Sequence, residues 1–238
     1  MKSRHKTLVE DYLDAHSIVP VAGALQEDLD EDNESGLDLL AYAIENYASL
    51  PGVRQNIKAV ASLAVNDFDG EREYNNRLTE FFALWFVSEV LKEPITALEA
   101  TSPNRPSGSN KTCDLQSKSL SGANFYEVKD FSSEFLTQVP VYEGVTSFTP
   151  GLPWKIKPWI EGYVQNCVEK GANYLICRVP VWHVRKRPKL SEEWVKRIYS
   201  SYTNIPGNRF KVGHGLTLPS FFRGVYVIRR DEHLFMEF

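Results

Sequence analysis

The chain has 238 residues, of which 42% are hydrophobic and 24% charged, the usage of an ordinary soluble globular protein of one large or two small domains. At this length folding removes roughly 70% of the unfolded chain's surface from water, so a core forms without covalent staples; collagen, a coiled-coil rod and wholesale disorder are excluded. The net charge of −4 hides an asymmetry, since residues 1–103 carry 8 Lys and Arg against 19 Asp and Glu, while residues 104–238 carry 19 against 12.

In chain order, the apolar positions Leu8, Tyr12 and Leu13 predict a first helix, ended by Pro20 and Gly23. The acidic stretch 26–35 (QEDLDEDNES) has little to bury and is expected to be an exposed loop or disordered linker. Helical spacing returns at Leu37, Leu40, Ala41 and Ile44 and stops at Pro51-Gly52, and a further helix carries Ile57, Val60 and Leu63. Asn66 to Glu71 (NDFDGE) lacks the third acidic position and the terminal Glu of a calcium loop, and is expected to be a turn leading into a helix. From Arg72 to Lys92 runs the strongest helix, with Leu78, Phe81, Phe82, Trp85 and the apolar positions between Val87 and Leu91 on a wide face that Pro94 ends.

Beyond Pro94 the pattern changes. Ile95 to Leu98 is a short strand, followed by a flexible loop, TSPNRPSGSN. Two strands at Thr112–Ser117 and Asn124–Phe131 are joined across Ser119–Gly122, and a proline-rich loop runs to about Pro153. A helix from Lys155 to Lys170 ends at Gly171, Asn173–Val181 is an apolar strand, a helix lies near Ser191–Tyr202, and a last strand covers Gly224–Arg230. The order implies a mixed sheet with helices on its faces. An N-terminal helical region with an acidic loop (1–70) is expected to precede an α/β domain (71–238).

Three cysteines, Cys113, Cys167 and Cys177, lack metal-ligand or C-x-x-C spacing and are expected to be reduced, buried thiols. Met1–Leu13 has no apolar core of a signal peptide, and no apolar run reaches the ~20 residues of a membrane span, so a cytoplasmic location is expected.

The chemistry concentrates in NFYEVKDF, residues 124–131. Strand alternation puts Phe125, Glu127, Lys129 and Phe131 on one face and Tyr126, Val128 and Asp130 on the other. A carboxylate and an ammonium between two phenylalanines are costly to desolvate unless paired or metal-bound. The preceding strand supplies Asp114. If the hairpin turns near Leu120-Ser121, opposed residue numbers sum to about 241, which sets Asp114 against Glu127 at a Cβ separation of about 5 Å. Two carboxylates at that range repel, and a bridging divalent cation relieves them; hard oxygen ligands with positions left for water and phosphate suit Mg²⁺. A lysine two residues along orients a water or stabilises charge on a phosphate.

This constellation, Asp114 followed by Glu127-Val128-Lys129 as D-x(12)-E-x-K, resembles the PD-(D/E)xK nuclease superfamily. Cys113 stands where the Pro of the family's name usually precedes the Asp, at a position variable within the family. The family's core order of helix, three strands, helix and strand agrees with the order read from about Arg72 to Val181, some 110 residues. The resemblance implies a restriction-endonuclease-like α/β fold and a Mg²⁺-dependent nuclease, with Mn²⁺ as substitute ion. By the same resemblance Asp114 and Glu127 bind the metal, the backbone carbonyl of Val128 joins them, and Lys129 assists the attacking water. A further Glu comes from the helix before the first strand in many members; here Glu80 is the choice, with Glu73 and Glu89 as rivals. Tyr163 and Gln165 lie on the helix that in this family packs near the active site.

Other motifs weigh less. Gly108–Thr112 (GSNKT) lacks the first glycine of a P-loop, and Gly213–Gly215 (GHG) is expected to be a turn. Lys111, Lys155, Lys157, Arg185, Lys186 and Arg187 are candidate nucleic-acid contacts, the last three in HVRKRPK and the middle two beside Trp154 and Trp159. The expected partner is nucleic acid, DNA foremost, with a homodimer or protein partner engaging the acidic N-terminal region. The alternative from another class is a non-catalytic nucleic-acid-binding or protein-interaction protein on the same fold.

Overall fold

A computed structural model describes residues 2–64, 68–130, 163–178, 211–212, 216–228 and 233–237. The chain divides into two compact units, Met1–Ala100 with Asp114–Asn124, and Thr101–Cys113 with Phe125–Phe238.

The first unit is mostly helical. Helix α1 (Arg4–Ala15) starts where the Ser3 hydroxyl accepts the Lys6 amide hydrogen, satisfying one of the unpaired donors of a helix start. Val9, Tyr12 and Leu13 are its buried face, with Val9 rather than Leu8 in the core. The acidic segment expected to be a loop is instead helix α2 (Ala24–Glu31). Leu25 and Leu29, one turn apart, are both buried, and Asp28 accepts from the Asn33 amide at 2.7 Å and from the buried Tyr74 hydroxyl. Two leucines on one face suffice to dock a short helix whose remaining positions are acidic and wet. Burial, then the Asp28 hydrogen bond, holds the Tyr74 hydroxyl far above its ordinary range.

Helix α3 (Glu34–Tyr47) buries Leu37, Leu40, Ala41 and Ile44 as expected and packs against α1, α2 and the long helix α5. Helix α4 (Val53–Ala61) buries Val53, Ile57 and Val60, and it begins after Gly52 at φ +93°, where an added Cβ would stand 2.9 Å from the Leu98 Cβ. Helix α5 (Phe68–Trp85) continues through a π-helical turn, Phe86–Val90, so the single helix expected over Arg72–Lys92 begins earlier and widens near its end. Phe81, Phe82, Leu84, Phe86 and Val87 are buried along it. Strand β1 (Ile95–Ala100) and strand β2 (Cys113–Ser119) follow, and the Pro94 carbonyl accepts the Lys118 amide at 2.9 Å. Leu120-Ser121 forms the turn into strand β3 (Gly122–Asp130), where the Ser119 hydroxyl donates to the Gly122 carbonyl at 2.9 Å. Gly122 sits at φ +128°, open to glycine and strained for other residues.

The second unit is built on β3. Helix α6 (163–170) precedes β4 (Tyr174–Arg178); β5 (Lys211–Val212) and β6 (Leu216–Thr217) form a small antiparallel pair; β7 (Gly224–Ile228) and β8 (His233–Glu237) complete the unit. The strand order is β3-β4-β7-β8, with the first two pairings parallel and the last antiparallel. A parallel pair needs a crossover, and α6 lies on the one between β3 and β4. Tyr126, Val128, Leu175, Ile176, Val225 and Val227 are buried, which explains the unbroken apolar runs of strands covered on both faces.

Two residues set how α6 meets the sheet. Gly171 ends the helix at φ +73°, and an added Cβ would lie 2.4 Å from the Arg105 backbone nitrogen. Buried Asn173 accepts the Phe125 amide hydrogen at 2.9 Å and donates to the Phe221 carbonyl at 3.1 Å, tying β3 and the approach to β7 to the start of β4. The loop expected to be flexible, 101–110, is fastened to the end of α6. Buried Ser102 donates to the Gly171 carbonyl at 2.7 Å, and Ser109 donates to the Glu169 carbonyl at 3.3 Å.

The chain is therefore mixed α/β, with a mixed sheet and helices packed on it. Strand β8 was not expected; its alternation is short, and its pairing with β7 is what makes it a strand. The proline-rich loop, residues 155–162 of the expected helix, the 179–181 end of the expected strand and the helix near 191–202 lie outside the described residues. The three cysteines are buried thiols with no disulfide between them, as expected.

Candidate active site

Strand β3 carries Glu127 in the second unit, where its side chain is 0% exposed. Lys129, two residues along and so on the same side of the strand, places its Nζ 2.6 Å from Glu127 Oε1. Helix α6 adds two groups that sequence reading missed. Asn166 Nδ2 donates to Glu127 Oε1 at 2.9 Å, and Lys170 Nζ lies 2.5 Å from Glu127 Oε2. Asn166 and Lys170 are four apart, so one helix face presents both to the strand. That i, i+4 pair in the helix after E-x-K was the available signal.

The energetics explain the grouping. Taking a carboxylate out of water costs several kcal/mol, on the order of the penalty for any buried ion, and the attraction must recover it through close, well-directed partners. Oε1 has the directed Asn166 hydrogen bond and the Lys129 ammonium, while Oε2 has the Lys170 ammonium at 2.5 Å as an ion-pair contact without hydrogen-bond geometry. The lysine side chains reach outwards from the buried carboxylate, Lys129 with 27% exposure and Lys170 with 15%.

The other expected site residues are distributed as follows. Val128, between the motif's Glu and Lys, buries its side chain and pairs with Ile176 across the ladder. Asp114 lies half-buried on β2, in the first unit. The turn taken as the premise of the pairing, Leu120-Ser121, is there, flanked by Ser119 and Gly122. In the first unit Glu80 accepts from Asn56 Nδ2 at 3.0 Å and from Arg77 at 3.3 Å, and its rival Glu73 pairs with the same arginine at 3.0 Å. Glu89, the other rival, accepts from the Tyr42 hydroxyl at 2.7 Å; that bond, then Lys92, lowers its carboxyl below the usual range.

Of the basic residues, Lys111 is ion-paired with Glu169, and its hydrogen bond holds that carboxyl below the ordinary value of 4.5. Lys155, Lys157, Arg185, Lys186 and Arg187 lie outside the described residues. Tyr163 is half-buried on α6, and the Gln165 amide donates to Glu169 at 3.2 Å.

Among the described residues no three His, Cys, Asp or Glu side chains converge closely enough to hold an ion by themselves. Mg²⁺ does not require that, because it keeps several waters and takes one or two carboxylates together with substrate phosphate. Glu127 has the donor chemistry of a ligand to such an ion, a hard and fully buried carboxylate, but an ammonium group already faces each of its oxygens. No helix among the described residues is long and apolar enough to cross a membrane. The chain matches no protein-family model, no curated protein and no solved structure.

Proposed function

We propose that the chain is a metal-dependent nuclease that hydrolyses phosphodiester bonds of nucleic acid, with DNA as the expected substrate. The observation that carries this reading is the fully buried Glu127 on β3 with the Lys129 ammonium 2.6 Å away, an E-x-K pair held in a strand interior. The order α5, β1, β2, β3, α6, β4 adds support, since it matches the helix, three strands, helix and strand of the PD-(D/E)xK nucleases.

On this reading Glu127 and the Val128 carbonyl would hold Mg²⁺, and Asp114 is assigned as a ligand from its spacing in the motif alone. Bound there, the ion would supply Lewis-acid polarisation of a phosphate and an activated water. Lys129 positions the attacking water or the phosphate oxygen that gains charge, and burial of Glu127 keeps bulk water from screening that contact. Asn166 holds the orientation of the carboxylate through Oε1.

The test is cleavage of supercoiled plasmid, linear duplex, single-stranded DNA and RNA in Mg²⁺, in Mn²⁺ and in EDTA, with Lys129→Ala alongside. Cutting that needs the ion and is lost in the variant supports the nuclease. The second reading, a non-catalytic nucleic-acid binder on the same fold, draws on the two lysines that already neutralise Glu127. It predicts no cutting and salt-sensitive binding that Lys129→Ala leaves unchanged.

A further inference from the structure

Lys170 belongs to no motif, yet it makes the closest approach to Glu127. Its ammonium lies 2.5 Å from Oε2, while Lys129 and Asn166 share Oε1. The carboxylate is 0% exposed and the Lys170 side chain only 15%, so the pair has little bulk water to screen it. Lys170 also sits in the last turn of α6, directly before Gly171. The helix end there is fixed by the Gly171 amide donating to Val168 and by Ser102 holding the Gly171 carbonyl. The ammonium is thus carried to Oε2 by an anchored helix end and is no loosely tethered surface lysine.

We propose that Lys170 is the resident counter-ion of Glu127, a positioning residue that occupies the oxygen a divalent cation would take and must be displaced when the ion binds. The inference rests on the nuclease reading and deepens it by assigning a control on metal loading. Two cations cannot crowd one carboxylate oxygen without repulsion, and in a poorly screened site that repulsion is large. Lys170 therefore lowers the affinity for a lone ion. It also fixes the orientation of the Glu127 carboxylate while the ion is away.

The experiment titrates Mn²⁺ alone onto the metal-free full chain, reading free Mn²⁺ by electron paramagnetic resonance, with Mg²⁺ added in competition. Wild type, Lys170→Met, Lys170→Arg, Glu127→Gln and the Lys170→Met/Glu127→Gln double variant are compared. The expected result is Mn²⁺ binding about tenfold or more tighter in Lys170→Met, from relief of charge repulsion. Lys170→Arg, which keeps the charge, stays near wild type, and Glu127→Gln weakens binding in both backgrounds. If Lys170→Met misfolds, Lys170→Gln is read in its place, because it is polar and removes the charge.

Binding in Lys170→Met that is equal to or weaker than wild type, with Glu127→Gln still weakening it, overturns the counter-ion role and leaves the metal site standing. Mn²⁺ binding that ignores Glu127→Gln in every background overturns both.

Discussion

Replacing Glu127 by Gln removes a negative charge that Lys129, Lys170 and Asn166 all face. Gln keeps a single carbonyl acceptor for these donors and sets its own amide hydrogens toward the other ammonium. Removing one partner of a buried ion pair costs about 3–5 kcal/mol, because the remaining charge is left uncompensated. Here the lysine side chains are not fully buried, at 27% and 15% exposure, so the lower end, about 3 kcal/mol, is expected. With a urea dependence of about 2–3 kcal/mol per molar, the unfolding midpoint falls by about 1–1.5 M. The assay is urea denaturation followed by far-ultraviolet circular dichroism, with hydrogen exchange of the 125–129 amides reporting on the second unit. Lys170→Met leaves Lys129 and Asn166 on the carboxylate, and its midpoint falls less than half as far. A Glu127→Gln shift below about 0.2 M, or one smaller than that of Lys170→Met, refutes the account of a carboxylate buried on its partners' charge.

Three further outcomes follow from the same reasoning. Asp114→Asn and Lys129→Ala each lower metal-dependent cleavage by about a hundredfold or more while leaving circular dichroism unchanged, a loss checked by single-turnover kinetics on the preferred substrate. Gly171→Ala places a Cβ against the Arg105 backbone at a positive φ, where neither neighbour is a side-chain end that can swing aside; calorimetry should show a loss of about 2–4 kcal/mol, hence a Tm lower by roughly 5–15 °C. Lys111→Ala costs about 0.5 kcal/mol or less near pH 7, since both partners of the Lys111–Glu169 pair are more than two-fifths exposed. Because the folded Glu169 carboxyl is held below 4.5, the pair's contribution is complete above that value and disappears as pH falls through the lower folded value. Urea midpoints of wild type and variant should therefore converge as pH falls below the folded value, and a gap that widens on acidification contradicts the assignment.

The elements most legible in the sequence were those whose period and boundaries agreed. Leu37, Leu40, Ala41 and Ile44 mark α3, the wide apolar face to Val87 marks α5, and the Leu120-Ser121 turn lies where the spacing of the two strands puts it. The acidic α2 was illegible because its helical signal is two leucines, and the docking of Leu25 and Leu29 outweighs the composition around them. Strand β8 was illegible for a similar reason, since a short alternating segment becomes a strand only when a neighbour supplies its hydrogen bonds.

The candidate site divides along the same line. Glu127 and Lys129 were readable because i, i+2 on a strand is a local relation, determined by alternation alone. Asn166 and Lys170 stand 39 and 43 positions from Glu127 in the chain, and no local period connects them to it. The crossover between parallel β3 and β4, the Gly171 helix end and the Ser102 hydrogen bond bring that face of α6 onto the carboxylate. Sequence alone thus determined which strand carries charge into the interior and on which side. Only tertiary structure decided what meets that charge, because burying an ion is tolerable where packing has already placed its partners.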